Sequence, residues 1–249
     1  MAITSNSSPI CSSLKWSTNR PSRYTDSQAT SRVIVDMMST SDRYDTSGFP
    51  EDQCEPGSNG TVLKNLRGII SSEEMQIVET EELWRTQEYL LGEIEQDQRF
   101  TVNDIYEMHR IWLETVYSWA GKDRQVNISK GRFDFAMARV IPNMMAEFER
   151  KQLAVHTPCQ CTDINEIAQA LAEVHVELML IHPFREGNGR LGRLLATLMA
   201  LQAGLPLLDF SDWSGIKRDE YFAAVRAGMD INYEPMKQLF LEVMEGSGK

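Results

Sequence analysis

Twelve residues of this chain hold most of its reactive chemistry. His182-Pro-Phe-Arg-Glu-Gly-Asn-Gly-Arg190 is followed one helical turn later by Arg193. His182 carries an imidazole able to exchange a proton near neutral pH, and so to accept one from an incoming hydroxyl. Four residues on, Glu186 offers a hard oxygen of the kind that holds Mg2+ against phosphates. Gly187 and Gly189 permit positive φ and close approach of the backbone to a ligand. A helix that starts at this turn directs unpaired N–H groups and its positive dipole end into it, which suits a diphosphate. Arg190 and Arg193 lie three residues apart, on one helix face, where two guanidinium groups can fork onto phosphate oxygens. A base, a metal ligand, an anion cradle and two phosphate-sized cations are the parts needed to transfer a piece of a nucleotide.

Taken singly, each part has a plainer explanation. A Gly-Asn-Gly turn between helices is often only a cap, and a histidine after an apolar helix is often a bonded core residue. Glu186 and Arg190 could form a surface ion pair worth under about 1 kcal/mol. Their coincidence in one short segment favours a site.

The elements that must position these residues read as helices. Ile164, Ile167, Leu171, Val174, Leu178 and Ile181 recur at intervals of three and four, predicting a core-facing helix over 163–180, just before His182. A second helix begins near Asn188 and carries Leu194, Leu195, Leu198 and Met199. Upstream, the pattern becomes helical from Thr61, and Ser71 or Ser72 before acidic residues suits an N-cap. The first long helix uses Met75, Val78, Leu83, Leu90, Leu91 and Ile94, and the next starts after Thr101 with Ile105, Met108, Ile111, Trp112 and Val116. Further helices are expected over 140–153, with Pro142 in the first turn, and over 217–229 and 234–244. Between them, residues 125–130 alternate polar and apolar, Gly131 allows a tight turn, and Phe133–Ala136 follows, predicting a short β-hairpin.

The 249 residues suffice for one substantial core plus an appendage. Residues 1–38 are Ser-, Thr- and Arg-rich without a sustained apolar period, which predicts a disordered tail. Residues 39–60, with Gly48, Pro50, Pro56, Gly57 and Gly60, predict a loop wrapping onto a body that occupies 61–249. Net charge is −11, almost all of it beyond residue 50, where 20 basic residues face 32 acidic ones. Such a body has no general affinity for nucleic acid or an anionic membrane, and no apolar run reaches the roughly 18 residues of a membrane span. Cys11, Cys54, Cys159 and Cys161 lack metal-ligand spacing and read as reduced thiols of a cytoplasmic protein.

The segment 182–193 resembles, at every functional position, the signature of the Fic family, His-x-Phe-x-(Asp/Glu)-Gly-Asn-(Gly/Lys)-Arg-x-x-Arg. Tyr117–Gly131 resembles the family's run into its target-docking flap, and Val62–Gly68 is similar to its N-terminal segment. The resemblance covers residues 60–245 and implies a mainly α, Fic-type helical bundle with one short β-hairpin. It implies a protein adenylyltransferase that moves AMP from ATP to a Ser, Thr or Tyr hydroxyl of a target protein. In that reading His182 is the base and Glu186 holds Mg2+. Gly187, Asn188 and Gly189 form the anion hole, with Asn188 fixing the α-phosphate, while Arg190 and Arg193 grip the outer phosphates and Phe184 anchors the loop. Asn127, Ile128, Ser129, Lys130, Gly131 and Phe133 form the flap that registers the target as an added strand. The intact Glu-Gly-Asn-Gly turn differs from that of the kinase-like Doc relatives and favours nucleotidyl transfer. A Fic protein using another donor or removing AMP, and a non-catalytic nucleotide-binding adaptor, remain as alternatives.

Many members restrain themselves with a (Ser/Thr)-x-x-x-Glu-(Gly/Asn) helix whose Glu meets the second motif arginine, Arg193 here. No intact copy is present: Asp52 follows Ser47–Glu51 and Pro50 interrupts it, while Leu241 precedes Glu245-Gly246. A separate small antitoxin protein is therefore the expected source of restraint, in a protein of toxin-like or regulatory kind.

Overall fold

Asn65 decides where the first helix can start. Its side-chain oxygen accepts from the Arg67 and Ile69 N–H groups, and its amide donates to the Leu63 and Ile69 carbonyls. An Asn that binds neighbouring backbone in this way competes with the helix ladder. Residues 61–71 are accordingly turns rather than the expected helix, tied back by a bridge between Cys54 and Leu63. The computed structural model describes residues 49–130 and 133–247. The expected tail over 1–38, residues 39–48 of the expected loop, and Gly131 lie outside the described residues.

Helix α1 (Ser72–Glu93) opens at Ser71, whose hydroxyl accepts from the Glu74 N–H, with Glu73 and Glu74 against the positive helix end. Its inward residues are Met75, Glu79, Thr86 and Leu90. Helix α2 (Val102–Leu113) begins with a reciprocal capping box between Thr101 and Asp104. Strands β1 (Ser129–Lys130) and β2 (Phe133–Asp134) pair antiparallel, Ser129 opposite Asp134 and Lys130 opposite Phe133. The hairpin is thus shorter than the alternation suggested. Helix α3 (Ile141–Phe148), with Pro142 in its first turn, runs through a π turn (Glu149–Leu153) into α4 (Ala154–His156).

Asp163 caps α5 (Ile164–Ile181), accepting from the N–H groups of Asn165 and Glu166. Every residue of its expected stripe is buried except Ile164, and so are Ala168, Ala170, Ala172, His175, Val176 and Met179. A helix buried nearly all round is the centre of the bundle. It packs most extensively against α6 (Asn188–Gln202) and α9 (Glu234–Ser247), with α7 (Ser211–Ser214) and α8 (Arg218–Ala227) completing one side. On the other side α1 packs on α2, and α2 on α6. The site segment therefore joins two core helices, so its geometry is fixed by the best-packed part of the fold. Among the described residues no helix is long and apolar enough to cross a membrane.

Candidate active site

His182 ends α5 in the left-handed conformation, φ 52° and ψ 62°, with its N–H bonded to the Leu178 carbonyl. That reversal points the ring out of the helix. The ring stacks on Phe135, just past the hairpin, with centroids 3.8 Å apart. Nδ1 lies 3.2 Å from the Met179 carbonyl, which can only accept, so in the neutral ring Nδ1 carries the proton and Nε2 keeps a lone pair. Burial pushes the imidazole down to about 3, and the nearby Arg124 and Lys130 charges act in the same direction.

The chain then makes a closed turn. The Asn188 side chain accepts from the Phe184 N–H at 2.9 Å and donates to the Phe184 carbonyl at 2.8 Å. The buried Asn188 amide thus closes the turn on Phe184, while the backbone N–H of Asn188 lies at the first position of the helix that follows. Gly187 sits at φ 87°, and a Cβ there would stand 2.6 Å from the Trp112 ring. The position therefore demands glycine twice, for its backbone and for its space. Helix α6 starts at the next residue, so the N–H groups of Asn188, Gly189 and Arg190 have no intrahelical acceptor; the first closed bond runs from Leu191 to the Gly187 carbonyl.

Glu186 faces this helix end. One oxygen accepts from the Gly187 N–H at 2.9 Å and lies 3.3 Å from Arg190. Arg190 donates more closely, at 2.7 Å, to the buried Glu79 of α1 and stacks over Trp112 at 4.7 Å. Glu79 also accepts from the Tyr117 hydroxyl at 2.6 Å and raises the phenol's pKa, after burial itself. Arg193 differs: among the described residues it has no ion pair, and burial and the Arg190 charge both push its pKa down. The two motif arginines are thus unequal, one neutralised by carboxylates and the other not.

Residues outside the motif fix it in place. His109 stacks flat on Phe184 at 3.8 Å. Its Nδ1 accepts from the Gly121 N–H at 2.8 Å, so Nε2–H donates to the Glu186 carbonyl at 3.1 Å. Arg185 pairs with Asp52 at 2.6 Å, both nearly buried. Glu51 accepts from the Gln125 and Val126 N–H groups. Arg124 is buried and donates to carbonyls around His182 and the hairpin. Glu79, His109 and Arg124 were not among the residues expected at the site. A signal existed for Arg124, which stands in the run Tyr117–Gly131 next to the hairpin; Glu79 lies on a different helix, with nothing local to mark it.

Of the expected hairpin residues, Asn127 accepts from the Ala138 N–H with its side chain and closes the base of the hairpin. Ile128 accepts from the Phe135 N–H, and Phe133 packs edge-on against Phe135. Ser129 and Lys130 form β1, and the Lys130 ammonium lies 4.7 Å over the Phe222 ring of α8. The hairpin therefore stands beside His182, joined to it through Phe135.

Residues 99–200 match the Fic/DOC family. The chain is 31% identical over 191 residues to protein adenylyltransferase VbhT of Bartonella schoenbuchensis, covering 77% of this chain and 37% of that one. It is 33% identical over 107 residues to protein adenylyltransferase fic-1 of Caenorhabditis elegans, 43% of this chain and 20% of that one. The chain thus spans well under half the length of these two relatives. Among solved structures it is similar to the N-terminal Fic domain of a VirB-translocated effector of Bartonella sp. AR 15-3, with TM-score 0.63 at 22% identity over 76% of this chain and 89% of that one. The ADP-bound Fic domain of a VirB-translocated effector of Bartonella quintana is likewise similar, with TM-score 0.58 at 25% identity over 73% of this chain and 89% of that one.

Proposed function

Since this chain carries a Fic domain, we propose that it transfers AMP from ATP to a Ser, Thr or Tyr hydroxyl of a target protein. The observation that carries the reading is His182 with Nδ1 committed to the Met179 carbonyl and no bond to Nε2 among the described residues, one turn of chain ahead of the α6 N–H groups that lack intrahelical acceptors. The hydroxyl oxygen attacks the α-phosphorus, its proton passes to Nε2, and the bond to the β-phosphate oxygen breaks to release pyrophosphate. The N–H groups of Asn188, Gly189 and Arg190 receive the charge that develops on the α-phosphate, with Gly187 shaping the cradle. Arg193, which has no ion pair to leave among the described residues, holds the outer phosphates; Arg190, braced by Glu79 and Glu186, supports the turn and adds charge. The rate advantage is positioning and charge stabilisation, as for phosphate transfers in general.

Glu186 fits Mg2+ as a single carboxylate. That ion keeps several waters and is often held by one or two carboxylates plus substrate phosphates, so it needs no larger protein cluster, and none of three or more ligating side chains occurs among the described residues. When bound there, Mg2+ would neutralise phosphate charge. The hairpin residues Asn127, Ile128, Ser129, Lys130, Gly131 and Phe133 would align the target backbone as a further strand.

We also propose that restraint comes from a separate small antitoxin protein whose carboxylate meets Arg193. Glu51 is engaged with the backbone at Gln125 and Val126, and Glu245 is exposed on α9. The reading extends to a toxin-like or regulatory protein of the cytoplasm, with residues 61–249 forming the Fic domain and its flanking helices.

The test uses bacterial lysate, Mg2+, and ATP labelled at either the α- or the γ-phosphate, with wild type and His182→Ala. Label entering protein only from the α-position, and only with His182, is expected. Label from the γ-position alone would make the protein a kinase. An isolated chain that is silent until Glu245→Gly is introduced would replace the antitoxin with an intramolecular inhibitor.

A further inference from the structure

Arg124 is 1% exposed, yet among the described residues no carboxylate is bonded to its guanidinium. All its partners are carbonyls. Nε donates to His182 at 2.8 Å; Nη1 donates to Val126 at 2.7 Å; Nη2 donates to Ala136 at 2.5 Å and to Ile181 at 3.3 Å. Its backbone N–H adds a bond to the Pro183 carbonyl at 2.8 Å. Burying a cation without an ion pair is costly, and burial lowers the guanidinium's pKa to about 10 even though the Glu51 and Asp123 charges act the other way. Helix and strand pairing alone do not require such a group.

Its partners explain what it does. Val126 precedes the hairpin and Ala136 follows it, so one guanidinium holds both legs of the flap. The third partner is the carbonyl of His182, a non-glycine residue in left-handed conformation, which persists only where surroundings over-determine it. Phe135, adjacent to Ala136, stacks on the His182 ring. Arg124 and the hairpin therefore grip the same residue, one by its backbone and one by its ring. The planar fork can reach carbonyls in several directions at once, which a lysine ammonium on its single nitrogen cannot.

We propose that Arg124 is a positioning residue that couples the seating of the hairpin to the orientation of His182. A target strand that settles the hairpin thereby settles the base, and a displaced hairpin leaves the base misaligned. This rests on the reading of His182 as the base for AMP transfer, and its test carries one readout that does not depend on activity.

The full chain is prepared with 15N-labelled histidine as wild type, Arg124→Lys, Phe135→Leu and His182→Ala, the last to identify the His182 ring signals. In wild type, His182 is expected to show one tautomer, protonated at Nδ1. Both Arg124→Lys and Phe135→Leu are expected to give mixed tautomers, with ATP affinity within about threefold of wild type. Incorporation of α-phosphate label at saturating ATP falls about 100-fold in Arg124→Lys, the scale of a small misplacement of a reacting group. If Arg124→Lys fails to fold, Phe135→Leu decides, since it leaves the guanidinium and its bonds intact. A single Nδ1–H tautomer and wild-type labelling in the folded variants would overturn the coupling. Wild type that incorporates no α-phosphate label would instead sink the AMP-transfer reading, and the ring signals would still judge the coupling.

Discussion

Glu79 and Arg190, 111 residues apart in the chain, meet at 2.7 Å with side chains only 6% and 14% exposed. The carboxylate also takes the Tyr117 hydroxyl, and the guanidinium also reaches Glu186 and covers Trp112. Helix α1 thus reaches into the glycine-rich turn before α6 and neutralises its first arginine.

Glu79→Ala is expected to destabilise the protein by about 3–5 kcal/mol, because a nearly buried cation and a buried hydroxyl lose their acceptor together. Glu79→Gln keeps an acceptor for Tyr117 and should cost less. Urea unfolding measures both, and an Ala variant within about 1 kcal/mol of wild type would show that Arg190 finds water or Glu186 instead.

The two motif arginines should separate by phenotype. Arg190→Ala strands Glu79 and lowers the unfolding temperature by roughly 10 °C at several kcal/mol lost. Arg193→Ala removes a cation that has no carboxylate partner among the described residues, so stability stays within about 1 kcal/mol while ATP binding falls. Calorimetric titration with ATP and with AMP checks this: Arg193→Ala should weaken ATP more, and equal losses for both would argue against contact with the outer phosphates.

Gly187→Ala puts a methyl group 2.6 Å from the Trp112 ring on a backbone at φ 87°. Overpacking of this kind costs roughly 1–3 kcal/mol, and the turn must shift to relieve it. Transfer of α-phosphate label should fall more steeply than stability, whereas Gly204→Ala, in open space at φ 81°, should lose stability through strain and leave transfer intact.

Acid should weaken the fold through buried imidazoles. Burial pushes both His109 and His175 down to about 3, against 6.5 in an unfolded chain. Above pH 6.5 neither state binds these protons. Below it the unfolded chain takes them up and the folded protein does not, so stability falls with decreasing pH until about pH 3, by about 1.4 kcal/mol per pH unit for each histidine. Ring proton signals followed by NMR should show no inflection for either residue between pH 8 and 5. A midpoint near 6.5 would mean that water reaches the ring.

Local chemistry was readable wherever neighbours in the chain decide the outcome. Ser71, Thr101 and Asp163 start helices because each side chain binds an N–H two or three residues ahead. The apolar spacing of Ile167–Ile181 marks a helix and its buried face, though only packing shows that the helix is covered on its other faces too. Residues 61–71 form no helix despite their helical pattern, because the knot of bonds around Asn65 competes with the helix ladder. Residues 211–214 form a short turn of helix that was too brief to leave a pattern.

By itself, then, the sequence determined a helical protein with one hairpin and a twelve-residue segment that gathers His182, Glu186, two glycines, Arg190 and Arg193, since helix periodicity, capping and glycine turns act over a few residues. Only the tertiary structure decided how that segment is wired. It engages the Asn188 amide with Phe184, gives Arg190 to Glu79 but leaves Arg193 without an ion pair among the described residues, and holds His182 through Arg124 and Phe135. Hydrogen bonds and ion pairs are short-ranged, and buried charges must find a partner in the space the folded core leaves them. Which partner is nearest is set by the packing of α1, α5 and α6 with the hairpin, and distance along the chain carries no record of it.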